Sequence, residues 1–247
     1  MRAHSRFFDG AGGRRVLSWV IEYFHAQLDG AEHIPESGGA LIVGNHSLFA
    51  LDAAVLGALI VRDLGRFPRF LADRNLWRVP GLRDLLLSVG AVPGYPSAAE
   101  RMLQRGELVI AYPGGVDDSL KSDEQRYQLQ WHERLGFARL ALRARVPIVP
   151  VVGLGIDEMY SVRHYEHWLG RLLFGSHRYD LPLARGAFGT LLPRRAPQRY
   201  VALPPVPAVG NPNVREDVEQ LRDKVRGDLE AWLEAFRAER SAERAAQ

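Results

Sequence analysis

Asn45, His46 and Asp52 sit inside ALIVGNHSLFALDAAVLGALIV, residues 40–61, a stretch otherwise rich enough in Leu, Val and Ala to be core. A histidine and a carboxylate can work as acid and base. If Asp52 accepts a hydrogen bond from one ring nitrogen of His46, the other nitrogen is left to take a proton from a hydroxyl. On one continuous helix, facing side chains lie three or four positions apart, so a separation of six points these two away from each other. They meet only where the chain turns between them. Ala40–Gly44 reads as a buried strand and Leu51–Val61 as a helix, and the junction supplies that turn. A second reading fits the same residues: Asp52 caps the helix and His46 is a satisfied polar residue at a strand end. A hydrolase triad would need a nucleophile, and there is no Gly-x-Ser-x-Gly and no cysteine. Asn45-His46-Ser47 also matches a glycosylation sequon, but it follows a buried strand and is set aside.

Around this junction the pattern alternates. Arg14–Leu28 reads as an amphipathic helix, with Val16, Val20, Phe24 and Leu28 at helical spacing and Gly30 as its stop. A strand is expected at Arg69–Ala72, a short helix over Gly81–Ser88, and a capping box at Ser97-Ala98-Ala99-Glu100 opening a helix to Gln104. ELVIAYPGG reads as a strand entering a glycine turn, Trp131–Arg145 as a helix, PIVPVVGLG as a strand and Arg199–Leu203 as a late strand. A charged helix over 213–240 ends the series. Strands alternating with helices predict an α/β fold, a single domain over 1–247 with a mixed, mostly parallel sheet flanked by helices.

Composition narrows the class. The 247 residues hold no cysteine, which excludes disulfides, thiolate catalysis and cysteine-ligated metals and fits a cytoplasmic setting. The longest charge-free apolar run, Ala53 to Val61, falls far short of the roughly 20 residues a membrane-spanning helix needs. Basic residues precede an apolar stretch near the N-terminus, but Glu22 interrupts it and no small-residue cleavage site follows, so no signal peptide is expected. The net charge is +3, and of 32 basic residues only Lys121 and Lys224 are lysine. Arginine suits phosphate and acidic lipid surfaces, and the same bias follows from a GC-rich coding sequence. No nucleic-acid-binding signature appears. His164 and His167 are three apart with no third ligand evident, so no metal is expected.

GNHSLFALD resembles the first motif of the glycerolipid acyltransferase superfamily, with five residues between His and Asp where the common form has four. That longer spacing is similar to the branch of phytyl ester synthases and related diacylglycerol acyltransferases. So are Tyr112-Pro113-Gly114-Gly115, Tyr127 and Trp131, Gly136-Phe137-Ala138 and Pro147-Ile148-Val149-Pro150. The resemblance covers about residues 29–155. It implies that His46 is the catalytic base and Asp52 its partner. It also implies a thioester donor, acyl-CoA or acyl carrier protein, as co-substrate, no further cofactor, and a lipid hydroxyl as acceptor. Asn45, Pro113, Gly114 and Gly115 are then substrate-binding candidates, with the glycine N–H groups able to hold a carbonyl oxygen or a donor phosphate. An ordinary strand-to-loop turn is the other reading of those glycines.

Two further expectations concern substrate and setting. Phosphate-recognising relatives have Pro-Glu-Gly-Thr-Arg at the glycine turn, where this chain has Pro113-Gly114-Gly115-Val116-Asp117, followed by Asp118. The resemblance therefore implies a neutral acceptor such as diacylglycerol or a long-chain alcohol, unless Arg69, Arg74, Arg78 or Arg101 restores the charge from elsewhere. A lysophospholipid acyltransferase and a non-catalytic lipid-binding homologue are the alternatives. Residues 160–200 interleave arginines with Trp, Leu and Phe, a composition that suits a peripheral membrane surface at the inner face of the cell membrane. A solvated face over ordinary core fits the same composition.

Overall fold

The computed structural model describes residues 11–78, 81–88, 90–166 and 181–245. In chain order the elements that build the site are helix α1 (Ala11–Tyr23), strands β1 (Gln27–Asp29) and β2 (Ala40–Gly44), helix α2 (Leu51–Leu64) and strand β3 (Arg69–Ala72). Helix α3 (Leu82–Ser88), strand β4 (Ala91–Pro93), helix α4 (Pro96–Gln104) and strand β5 (Leu108–Ala111) follow. Then come helices α5 (Gly115–Ser119) and α6 (Gly136–Ala144) and strands β6 (Ile148–Leu154), β7 (Ser161–Glu166), β8 (Leu181–Arg185) and β9 (Arg199–Ala202). A long helix, α7 (Arg215–Ala245), closes the series.

Seven strands form one sheet in the order β1-β9-β6-β2-β5-β3-β4, and β7 and β8 pair separately as an antiparallel ribbon. From β6 to β4 all neighbours are parallel; β9 runs antiparallel to β6 and carries β1 parallel to itself at the edge. The expected mixed, mostly parallel sheet is therefore present. Central strands of such a sheet are covered on both faces, which is why ALIVG, LVIA and IVPVVGL are apolar throughout rather than alternating. Leu41, Val43 and Val109 pack against α4, α6 and α7, whereas Ile42, Val55, Leu59, Ile110 and Val149 form the core under α1 and α2. Each such side chain contributes roughly 1.5–3 kcal/mol when fully buried.

Several element boundaries differ from expectation, three of them for a local reason. Arg14–Leu28 is not one helix. His25 adopts φ 44° and closes α1 with paired bonds from His25 N–H to Glu22 O and Ala26 N–H to Ile21 O, a Schellman arrangement that frees Gln27–Asp29 to pair with β9. The capping box at Ser97 does not form, because Pro96 occupies the first helical turn and Tyr95 precedes it without a side-chain cap. Trp131 is fully buried in an irregular segment, and helix α6 begins only at Gly136, after a turn in which Arg134 N–H bonds Trp131 O. The last helix runs to Ala245.

Candidate active site

His46 lies two residues beyond β2, and Asp52 in the first turn of α2. Between them Phe49 and Ala50 both take left-handed backbone, at φ 61° and φ 55°, a conformation costing a non-glycine residue about 1–2 kcal/mol. This reversal swings the start of α2 back onto the strand end and brings His46 Nδ1 to 2.9 Å from Asp52 Oδ2. The turn required by their spacing is thus made, and by strained residues.

Asp52 is fully buried, while the His46 side chain keeps 13% of its surface. Burial pushes the Asp52 carboxyl up, but the His46 ring and two bonds from Ser47 outweigh it and hold the carboxyl below the usual carboxylate range. Those bonds reach Oδ1 from Ser47 N–H at 3.2 Å and Ser47 Oγ–H at 2.8 Å. A carboxylate only accepts, so Nδ1 of His46 carries the proton of the shared bond and Nε2 of the neutral ring presents its lone pair. The ring lies on Tyr112, with centroids 4.1 Å apart and planes 10° from parallel. Stacking and the Asp52 bond together fix both tilt and tautomer. Burial, and then the Asp52 charge, push the Tyr112 hydroxyl well up, so it stays protonated.

Behind the histidine is a buried cation. Lys121 Nζ donates to His46 O at 3.0 Å and pairs with Asp157 Oδ2 at 3.0 Å, each side chain being 4% exposed. Burial alone lowers a lysine, but Asp157 and Asp118 reverse that and hold Lys121 above its ordinary value, fully charged. Asp157 Oδ2 also accepts Tyr127 N–H at 2.8 Å. Asp118, fully buried, accepts Gln130 N–H at 2.7 Å through Oδ1, and burial shifts its carboxyl upward.

The remaining residues singled out in the sequence have other partners. Asn45 is buried; its Nδ2 donates to Gly153 O at 2.9 Å and its Oδ1 accepts Gly153 N–H at 2.7 Å, so the amide faces β6 rather than an open site. Gly115 N–H donates to Tyr112 O at 3.0 Å and is not free to hold a substrate oxygen. At Gly114 a Cβ would stand 2.3 Å from Asp118 Cγ, so the glycine is required by a close approach within the chain. Arg134 bonds the carbonyls of Pro113 and Gly114 and pairs with Asp117. The two carboxylates that follow the glycine turn are therefore not a free negative pair: Asp117 is paired with Arg134, and Asp118 is buried. Sequence reasoning found His46 and Asp52 and missed Lys121, Tyr112 as the ring's platform, and Arg134. One signal for Lys121 was available, since it is one of only two lysines in an arginine-rich chain. His167 lies outside the described residues; among these, no three metal-binding side chains gather.

His46 stands at the carboxyl edge of parallel strands, oriented by a buried carboxylate, and among the described residues no nucleophile is hydrogen-bonded to its Nε2; such a pair has the form of a base that can activate a hydroxyl. Residues 25–153, which contain this whole turn, match the model of the family described as Acyltransferase, and the chain belongs to that family. It is 31% identical over 230 residues to the human protein named "DGAT1/2-independent enzyme synthesizing storage lipids", covering 92% of this chain and 67% of the human one. The bovine protein of the same name is 33% identical over 184 residues, 73% of this chain and 54% of its own length, so the chain spans about half of that relative. Among solved structures, the 1-acyl-sn-glycerophosphate acyltransferase PlsC of Thermotoga maritima aligns with a TM-score of 0.53 at 17% identity, over 92% of this chain and 85% of that one. That likeness is one of fold, and with the family match it puts the chain in the glycerolipid acyltransferase superfamily.

Proposed function

We propose that the protein transfers a fatty acyl group from a thioester, acyl-CoA or acyl carrier protein, to the hydroxyl of a neutral lipid such as diacylglycerol or a long-chain alcohol. The observation that carries this reading is the His46–Asp52 pair, with no bond to Nε2 among the described residues. Nε2 takes the proton of the acceptor hydroxyl as its oxygen attacks the thioester carbonyl. The tetrahedral intermediate collapses to the ester, and the departing thiolate recovers the proton from the imidazolium, which the buried Asp52 carboxylate stabilises meanwhile. No acyl-enzyme is needed.

Two observations favour a neutral acceptor. At the glycine turn the nearby cations are committed, Arg134 to Asp117 and Lys121 to Asp157, so neither is free for a phosphate. The human and bovine relatives also carry storage-lipid synthesis in their names. His46→Ala should lower turnover of a long-chain acyl-CoA with diacylglycerol by about 10²–10⁴-fold, the usual loss on removing a general base. Near-normal turnover in a folded variant overturns the mechanism.

The reaction takes place, on this proposal, with the protein peripheral to the inner face of the cell membrane. Trp19 on α1, Phe49, Phe188, Leu191 and Leu192 are exposed. Contacts join Trp19, Phe49 and Leu191 beside the His46 turn: the Trp19 ring lies 5.2 Å from Tyr23, Tyr23 Oη–H donates to Pro193 O at 2.7 Å, Tyr160 Oη–H to Leu191 O at 3.0 Å, and Phe49 packs edge-on against Tyr160 at 5.5 Å. Arg195 lies 5.0 Å over the Tyr23 ring. Exposed apolar groups beside arginine suit an anionic bilayer surface. None of the described helices is long and apolar enough to cross a membrane.

A further inference from the structure

The last turns of α7 are joined to the His46 turn by a continuous run of polar contacts. The other ion pairs of this helix among the described residues, such as Arg215–Glu219, Lys224–Asp228 and Arg226–Glu230, connect neighbours along it. Arg240 differs. Besides an in-helix bond to Glu243, its Nε donates to Glu158 Oε1 at 2.9 Å and its Nη2 to Glu158 Oε2, so a fork closes on both oxygens of a carboxylate 82 positions away. Glu158 ends the tight turn Ile156–Glu158 that follows β6.

Asp157 and Glu158 are adjacent and serve two directions. Glu158 is bonded to α7, and Asp157 to the Lys121 ammonium that holds the His46 carbonyl. Tyr127 straddles them: its N–H donates to Asp157 Oδ2 at 2.8 Å, its hydroxyl to Glu158 Oε1 at 3.1 Å, and its ring packs edge-on against Phe236 of α7 at 5.0 Å. Tyr127 is buried with left-handed backbone at φ 58°, a conformation a tyrosine keeps only where its surroundings over-determine it. The helix itself does not need the fork in order to dock, because Val218, Leu221, Val225, Leu229 and Leu233 already seat it on the core upstream of Arg240.

We infer that Arg240 is a positioning residue for His46. By fixing Glu158 it fixes Tyr127 and Asp157, and through Asp157 the lysine that anchors the His46 backbone. The inference rests on His46 acting as the base of the proposed acyl transfer, and it adds the end of α7 to the parts that this transfer requires. A neutral side chain at position 240 releases the Asp157–Glu158 turn while His46, Asp52 and the apolar seat of the helix keep their own contacts.

Magnetic resonance of protein carrying isotope-labelled histidine tests the coupling without any turnover. The ring-nitrogen resonances of His46, assigned by their loss in His46→Ala, should move in Arg240→Gln and in Glu158→Gln. They should stay in place in Arg226→Gln, which removes an ion pair from the surface of the same helix. Unmoved resonances in Arg240→Gln overturn the inference whatever the activity proves to be. The Arg240 side chain is 39% exposed, so its replacement should leave the protein folded. Kinetics with palmitoyl-CoA and diacylglycerol then show whether the coupling reaches the chemistry. Arg240→Gln should lower kcat about ten-fold with KM for both substrates little changed, and Arg240→Lys, which restores the charge without the fork, should recover part of the loss. An unchanged kcat in Arg240→Gln, or an equal loss in Arg226→Gln, overturns the positioning role. Resonances that move as expected in a protein that transfers to no lipid leave the coupling standing and defeat the acyl-transfer reading instead.

Discussion

At the scale of single residues, the site is a histidine held by three constraints: a carboxylate on Nδ1, a ring under its face and a lysine on its backbone carbonyl. The folded Asp52 carboxyl titrates below its unfolded value, so its contribution to stability is present above about pH 4 and is lost as pH falls through the folded value. Asp52→Asn should therefore be less stable than wild type by about 2 kcal/mol or more at neutral pH, the scale of hydrogen bonds to a charged group. Urea unfolding at pH 7, 5 and 3.5 should show the gap narrowing at the lowest pH. A gap independent of pH would mean that the carboxylate charge is not what stabilises the turn. Lys121 extends the argument inward. Lys121→Met leaves Asp157 buried without its counter-charge and should cost about 3–5 kcal/mol, part of which Asp157→Asn recovers in the same background. His46 and Asp52 were legible because their types and spacing already specify chemistry. Lys121 was marked only by the rarity of lysine in the chain, because its role depends on a carbonyl 75 positions away.

At the scale of elements, the long apolar strands were legible because burial on both faces leaves an unbroken apolar signature, and Arg69–Ala72 was bounded as it stands. Helix ends were less legible where backbone geometry, rather than side-chain type, decides. His25 and Arg145 both end helices in left-handed conformation without being glycine. Asn45 belongs to this scale too. Beyond Gly44 the pairing of β2 with β6 stops at Val151, and the Asn45 amide continues it by bonding both backbone groups of Gly153. It stands in for the next peptide unit and lets the chain leave the sheet toward His46. Asn45→Ala strands a buried N–H and a buried C=O, at about 1–3 kcal/mol each. The expected result is a lower unfolding midpoint and a lower kcat, as His46 loses its anchor, with KM for the acyl donor little changed. A raised donor KM at unchanged stability would return Asn45 to the substrate-binding role its position in the motif suggested.

At the scale of the whole molecule, a formal charge of only +3 hides where the charge lies. Along the described part of the β7–β9 region, Arg194 and Arg195 follow directly on Leu191, Leu192 and Pro193, and Phe188, in left-handed backbone at φ 55°, is 96% exposed. On the proposed membrane orientation this phenylalanine would be solvated by acyl chains while the arginines meet anionic headgroups. Phe49 packs on Tyr160 at the edge of the His46 turn, so on the proposed membrane orientation His46 would face the layer in which the proposed neutral acceptor dissolves. Two separable outcomes are expected in flotation with liposomes. Arg194→Glu/Arg195→Glu should lose binding mainly on vesicles rich in anionic lipid and mainly at low salt, because that part of the attraction is coulombic and screened. Phe188→Ser/Leu191→Ser should weaken binding at every anionic content and every salt concentration, because what it removes is apolar area inserted below the headgroups. If both variants float like wild type on anionic and neutral vesicles alike, this face is not the one that meets the bilayer.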